Sequence, residues 1–310
     1  MRYFQDKDVA QEFMVKLRWP NGVACPTCGS TDVRYLSTRR LWECKEKHPK
    51  KQFSVKVGTI MEGSPIGLDK WLATFWMLAN AKNGVSSYEV ARAIGVTQKS
   101  AWFMLSRIRA AMEDGTFNKM DGIVEADETY IGGKARNMHK DRRLKTIGND
   151  VGMVGKAAVF GALERHGPDG HSRVRVRPIS DNRRPTIEAA VREHIQAGAE
   201  LNTDGLGSYR FLGGEYVHNV VEHDANEYVR GAVHTNGIEN FWSLLKRSIR
   251  GTYVSVEPFH LFRYLDEQAF RFNSRKVTDG ERFKAALRGI VGKRLTYAEL
   301  TGKTPATTPV

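Results

Sequence analysis

The chain has 310 residues, 41% hydrophobic and 27% charged, and its 48 Lys and Arg against 35 Asp and Glu leave a formal net charge of +13. That apolar content is enough to build cores and excludes disorder over most of the length, while so large a positive excess points to nucleic acid as partner, a basic soluble enzyme being the other reading. No run of about 18 uncharged apolar residues occurs, which excludes a membrane-spanning helix, and the opening MRYFQDKDVAQEF lacks the apolar stretch of a secretory signal.

Residues 1–19 read as an amphipathic lead-in, with Phe4, Val9, Phe13, Leu17 and Trp19 near helical spacing. Residues 20–60 are rich in turns and hold strand-like pieces, DVRYL and RLWEC. All three cysteines fall here, an odd number that favours a reducing compartment and a metal site over a disulfide framework. Cys25-Pro-Thr-Cys28-Gly29 is a knuckle that turns two thiolates toward one point, and Cys44 and His48 complete C-x2-C-x15-C-x3-H. Four such ligands close a tetrahedral structural Zn2+ site with no open position for substrate, whose role is to fold a segment too small to hold a core alone. A redox-active C-x-x-C pair is the competing reading, but such a pair belongs at the start of a helix beside a βαβ unit.

Residues 64–114 read as helices. In LDKWLATFWMLANAKN, Leu68, Trp71, Leu72, Phe75, Leu78 and Ala79 recur at helical intervals. Ser86 and Ser87 are placed to cap a short helix, YEVARAI, which ends at Gly95, and Val96-Thr97 turns into QKSAWFMLSRIRAAM. Ala101, Met104, Leu105 and Ile108 face inward in this reading, while Gln98, Lys99, Ser100, Phe103, Arg107 and Arg109 face outward. The layout is that of a helix-turn-helix whose second helix offers groups suited to base edges and phosphates; a generic helical hairpin with a solvated basic face is the alternative.

From 121 to 275 strand and helix patterns alternate. IVEADETYI reads as a strand with Glu125, Asp127 and Thr129 on one face and Val124, Ala126, Glu128 and Tyr130 on the other. A carboxylate inside so apolar a strand needs a partner or a cation. KAAVFGALE and SRVRVRPIS follow as strands about the turn HGPDG, then the helix PTIEAAVREHIQ and the strand AELNTDG, which ends at Asp204. HTNGIENFWSLLKRSIRG reads as an amphipathic helix with Ile238, Phe241, Leu245 and Ile249 on one side and Glu239, Ser243, Lys246 and Arg250 on another; Arg247 adds to its basic groups, and His234, Asn236 and Trp242 lie close by as accessory candidates. Asp127, Asp204 and Glu239, delivered from two strands and a helix, form an oxygen cage suited to Mg2+ or Mn2+. Two such ions about 4 Å apart promote in-line phosphodiester transfer. Taken singly, each acid is more simply a turn cap or a solvated charge; the set carries the reading.

The ordered motifs CPTCGS, WECKEKH, QFSVKVGTIMEGSPIGLDKW, SSYEVARAIGVTQKSAW, VEADETYIGGK, NTDGLGSY, HTNGIENFWSLLKRSIRGTY and YLDEQAFRFNSR resemble those of zinc-ribbon DDE transposases of bacterial insertion sequences, of the ISXO-like kind, over roughly residues 10 to 300. The resemblance implies an α/β fold, a ribonuclease H-like mixed sheet flanked by helices and preceded by a zinc ribbon and a helix-turn-helix. The boundaries so implied are a zinc ribbon with its lead-in at 1–60, a helix-turn-helix domain at 61–116, a catalytic domain at 117–276, and a C-terminal segment at 277–310 that ends in a frayed tail. By motif position Asp127 is the first acid, Asp204 the second and Glu239 the third, with 76 and 34 residues intervening. Lys246 falls at the basic position seven residues after the last acid, where the family contacts the element end, and Asn236 or Asn240 stands by as an alternative cage ligand. His48 departs from the family, many of whose members have cysteine there. The implied activity is binding of terminal inverted repeats, metal-dependent strand cleavage and transfer into target DNA by an assembly of at least two subunits, in a bacterial cytoplasm. A zinc-containing helix-turn-helix regulator with a non-catalytic dimerisation domain is the alternative, and it leaves the spaced acids and Lys246 without a purpose.

Overall fold

Asp6 accepts from the backbone N–H groups of Asp8 and Val9 and so starts the first helix, α1 (Lys7–Arg18), satisfying donors that a helix cannot satisfy internally. The computed structural model describes residues 4–113, 118–132, 156–221 and 232–303, and the chain divides into two compact units, Met1–Glu113 with Val277–Val310, and Asp114–Lys276.

In the first unit, β1 (Val33–Leu36), β2 (Leu41–Cys44) and β3 (Gln52–Phe53) make a three-stranded antiparallel sheet in the order β1-β2-β3. Both strand-like pieces expected between 20 and 60 are in it. Trp42 and Phe53, paired across β2 and β3, bury their rings against each other and against Trp19. The helices that follow are α2 (Leu68–Asn80), α3 (Ser87–Ile94) and α4 (Gln98–Ala111). The helical intervals of α2 bury Trp71, Leu72, Phe75, Leu78 and Ala79. Ser86 caps α3 in a reciprocal box with Glu89, and Gly95 ends it at φ 63°, a left-handed conformation that suits glycine. Val96 and Thr97 complete a three-residue turn, and Thr97 caps α4 by accepting from Ser100 N.

The second unit is a mixed α/β body built on five strands: β4 (Ile123–Ile131), β5 (Ala157–Glu164), β6 (Arg173–Ile179), β7 (Glu200–Asp204) and β8 (Val217–Val221), in the order β6-β5-β4-β7-β8. β4, β5 and β6 pair antiparallel, whereas β4, β7 and β8 pair parallel. Among the described residues, its α-helices are α5 (Arg184–His194), which connects β6 to β7, then α6 (Asn236–Ser248) and α7 (Leu261–Asn273). Alternation along the strands sorts the core into two layers. Val124, Ala126, Phe160, Ala162 and Leu201 pack with Ile187, Ala190 and Val191 of α5 on one face of the sheet. Ile131, Val159 and Leu163 pack with Ile238, Phe241 and Leu245 of α6 and Leu265 of α7 on the other. Glu125 and Asp127 share one face of β4, as the alternation of the sequence led us to expect, and that face is the one that meets α6.

The last segment, α8 (Asp279–Arg288) and α9 (Tyr297–Leu300), belongs to the first unit. Phe283 of α8 packs with Phe13 of α1 and Trp76 of α2, and Ile60 N bonds Ile290 O. Of the expected frayed tail, 304–310 lie outside the described residues.

Candidate active site

The zinc ligands come together in the first unit. The ligand atoms of Cys25, Cys28, Cys44 and His48 all lie within 4.8 Å of one another, with Cys25 Sγ 3.5 Å from His48 Nε2 and Cys28 Sγ 3.6 Å from Cys44 Sγ. A tetrahedron with Zn–S near 2.3 Å sets its ligand atoms roughly 3.7 Å apart, so the donor set fits the ion. The second ring nitrogen of His48, Nδ1, lies 2.7 Å from Pro49 O, the outer bond that leaves Nε2 as the ligand atom.

On α4 the expected outward face is only partly outward. Lys99 is exposed, with its ammonium 5.1 Å from the centre of the Tyr297 ring. Gln98 and Ser100 are half-buried, the former bonded to Ser87 Oγ and the latter engaged with the capping hydroxyl of Thr97. Arg107 and Arg109 are 5% and 1% exposed, which corrects the expectation that both face solvent. Arg107 donates from Nε to Leu295 O and from Nη1 to Glu62 O, and its guanidinium lies over the Phe103 ring. Helical periodicity gave Arg107 an outward direction from its own helix; the returning C-terminal segment covers that side.

Asp127 and Asp204 stand on the adjacent parallel strands β4 and β7, and Glu239 lines a cavity with Asp127 from α6. The parallel register of β4 and β7 runs through Glu125 opposite Asn202, and two residues further along each strand stand Asp127 and Asp204. A cavity of about 520 Å³ opens there, lined by Asp127, Glu128, Thr129 and, from α6, Glu239, Trp242, Ser243, Lys246, Arg247 and Arg250. Asp204 is half-buried beside the cavity rather than on its lining, its Oδ1 accepting from Leu206 N. Both oxygens of Asp127 are held: Oδ1 accepts from Glu128 N at 2.8 Å and Oδ2 from Trp242 Nε1 at 2.9 Å. Glu239 is exposed and accepts from the Thr235 hydroxyl at 2.7 Å.

Electrostatics ties the three acids to one another. Burial raises the Asp127 carboxyl to about 6, and the charges of Asp204 and Glu239 add to the rise, while the bonds from Glu128 N and Trp242 oppose it. Glu128, on the other face of β4, is pushed to about 8 by burial, against the bond from the Tyr209 hydroxyl, with Asp127 and Asp204 contributing further. Lys246 is lowered by burial and by Arg250, with Asp127 opposing. Like charges crowded in a partly dry cleft, with a lysine and two arginines beside them, suit a divalent cation and a phosphate diester.

The accessory candidates separate. Trp242 is part of the cavity and touches Asp127. His234 is not on the lining; it accepts from Arg165 and sits 3.4 Å from Glu125. Asn236 is exposed at the first turn of α6, off the cavity lining. Sequence reasoning missed Gly161, Arg165, Thr235 and Gly237 around the site. Only for Gly161 was there a signal, a glycine inside an otherwise apolar strand, which often marks a close approach.

A family model described as an ISXO2-like transposase domain matches residues 119–273, and one described as a transposase zinc-ribbon domain matches residues 5–48. Over 255 residues the chain is 27% identical to a protein of Halobacterium salinarum described as an uncharacterized protein in transposable element ISH50, a match that covers 80% of this chain and 84% of that one. The zinc-ribbon match and the Cys3His cluster together support a structural zinc ion.

Proposed function

This chain belongs to the ISXO2-like transposase family, and from that premise we propose that it cuts DNA at the ends of an insertion sequence and joins the freed ends to new DNA through Asp127, Asp204 and Glu239. The observation that carries the reading is the cavity that brings Asp127 of β4 and Glu239 of α6 together, with Lys246, Arg247 and Arg250 lining it from the same helix as Glu239. The five-stranded mixed sheet with helices on both faces supports a ribonuclease H-like catalytic domain, and the three-residue turn between α3 and α4 supports a helix-turn-helix. In this reading the zinc ribbon and α4, through Gln98, Lys99 and Ser100, bind the terminal inverted repeats, and the working assembly holds at least two subunits because two ends are processed together.

The carboxylates of Asp127, Asp204 and Glu239 would hold two Mg2+ or Mn2+ ions, which supply a more acidic bound water and charge neutralisation on the phosphate. Trp242 and Glu128 N fix the direction of the Asp127 carboxylate, and Lys246, Arg247 and Arg250 bind the DNA backbone beside it. Cleavage breaks the P–O3′ bond as the oxygen of water bonds to phosphorus, leaving a 3′-hydroxyl and a 5′-phosphate. Transfer then forms a new bond from that 3′-oxygen to a target phosphorus and releases a target 3′-hydroxyl, so no covalent protein–DNA link is required. The test compares wild type with Asp127→Ala and Glu239→Ala on labelled duplexes of random sequence and of the DNA flanking the gene, in Mg2+ or Mn2+. Both variants should bind flanking DNA and fail to cleave or transfer it. Metal-dependent cleavage retained in both sinks the proposal, and binding by a wild type that never cleaves favours the regulator.

A further inference from the structure

The amino terminus of α6 is capped from outside its own segment. Thr235 occupies the cap position yet accepts no bond from the backbone N–H groups of the first turn; its hydroxyl donates to Glu239 Oε1 at 2.7 Å. The first backbone N–H groups of a helix need acceptors. One is supplied by Glu125, 113 residues earlier on β4, whose Oε2 accepts from Ile238 N at 2.9 Å. A carboxylate in that place is also favoured by the positive end of the helix dipole.

We propose that Glu125 is a positioning residue of the active site: by capping α6 from the neighbouring strand it fixes where Glu239 stands relative to Asp127, while the Thr235 hydroxyl orients the Glu239 carboxylate. The proposal rests on the reading of Asp127, Asp204 and Glu239 as the reacting acids. Glu125 and Asp127 lie two residues apart on one face of β4, so a bond from α6 to the first holds the helix in register with the second. Glu239 directly follows Ile238, the residue whose N–H is bound.

The remaining contacts of Glu125 all serve this junction. It is 1% exposed, and burying a carboxylate so deeply requires a charged partner and hydrogen bonds. Arg165 Nε donates to its Oε1 at 2.7 Å. The same guanidinium donates to Ala232 O at 2.5 Å and to His234 O at 2.8 Å, so it also clamps the chain leading into α6. Gly237 makes room: a Cβ there meets Glu125 Oε2 at 2.8 Å and Oε1 at 3.1 Å. In the sequence Glu125 stands two residues before Asp127 on the same strand face. Its Oε1 is held by Arg165 and its Oε2 by Ile238 N, and at 1% exposure it is spent on the junction rather than offered to a metal or phosphate.

The experiment uses the full chain in four variants, Glu125→Gln, Glu125→Ala, Gly237→Ala and Asp127→Ala. Each is followed by thermal unfolding and by the Mn2+ concentration that half-saturates nicking of a labelled duplex of the flanking DNA. Gly237→Ala changes no charge and crowds Glu125 first, with Leu163 Cδ2 next at 3.1 Å, so it and Glu125→Gln carry the decision if Glu125→Ala does not fold. Both should fold and require roughly tenfold more Mn2+, in the range typical when a residue that orients a metal ligand is lost. Glu125→Ala should be worse than Glu125→Gln, whose amide oxygen still accepts one bond. Wild-type Mn2+ dependence in folded Glu125→Gln and Gly237→Ala, with Asp127→Ala inactive, overturns the positioning role alone. Nicking that survives in Asp127→Ala removes the active-site reading and this proposal with it.

Discussion

Gly161 and Trp242 meet because one lacks the side chain that the other displaces: a Cβ on Gly161 would stand 2.5 Å and 2.6 Å from the Cη2 and Cζ2 atoms of the indole. Gly161 is the residue paired with Asp127 across β4 and β5. The indole thus fills the space left bare at Gly161 and reaches Asp127 Oδ2 with its N–H. Glycine in a strand interior weakens it, and here that weakness is exchanged for a fixed carboxylate.

Gly161→Ala should therefore cost about 1–3 kcal/mol, the usual penalty for overpacking a filled core, and should cut DNA cleavage by more than the stability loss explains. Trp242→Phe separates the two effects, since it keeps most of the ring volume and removes the donor. Urea unfolding and cleavage rates on both variants decide it. If Gly161→Ala is as stable and as active as wild type, the indole is not held where Asp127 needs it.

The sequence reached Asp127, Glu239 and the zinc ligands because each sits in a pattern with a period or spacing that physics makes local. A carboxylate within the apolar alternation of β4, a seven-residue step along α6 and a C-x-x-C knuckle can all be seen without knowing what lies across the sheet. Arg165, Gly237 and the burial of Arg107 were not legible. Their partners are Glu125, 40 residues from Arg165 and 112 from Gly237, and Leu295, 188 residues from Arg107. β8 was likewise missed, since YVHNVV shows little beyond a short β-branched run, and its place is set by pairing with β7.

Acidity of the site gives a pH dependence with a definite sign. Asp127 at about 6 and Glu128 at about 8 both stand above their ordinary values of 3.8 and 4.5, so folding favours their protonated forms. The stability tied to each is complete below its unfolded value and is lost as pH rises through its folded one. Without added Mg2+ or Mn2+, Asp127→Asn should gain stability over wild type as pH climbs from 4 to 6, by about 1–3 kcal/mol at the plateau. Glu128→Gln should show its gain later, up to pH 8, and at neutral pH it should leave DNA cleavage largely intact. Urea midpoints at pH 5, 7 and 9 measure both differences; variants that track wild type at every pH contradict the assignment.

Arg107 and Lys99 share a helix and have opposite surroundings, so their substitutions should separate folding from binding. Arg107→Ala leaves Leu295 O and Glu62 O without their donors in a buried place and should destabilise by about 2–4 kcal/mol. Lys99→Ala, at an exposed site, should stay within about 0.5 kcal/mol of wild type and weaken binding to flanking DNA, with the slope of log K against log salt reduced by about 1. Unfolding curves and a salt titration of DNA binding supply the numbers. A Lys99→Ala protein with unchanged affinity and unchanged salt slope removes α4 from the DNA contact.

Zinc removal should act on β1, β2 and β3 before anything else. The three strands hold only four, four and two residues, with Cys44 at the end of β2 and Trp42 and Phe53 as their shared core. Sheets this small rarely persist without a staple, and a structural ion supplies one by binding the folded form alone. Elemental analysis should find one zinc per chain in wild type and none in Cys44→Ser. Limited proteolysis should then cut Cys44→Ser between 20 and 60, at sites protected in wild type, and binding to flanking DNA should fall with the same substitution. His48→Cys should keep the ion, since a fourth thiolate completes the same tetrahedron. A Cys44→Ser chain that lacks zinc and still resists the protease shows that the aromatic core alone holds the strands, and the ion then has no structural part to play.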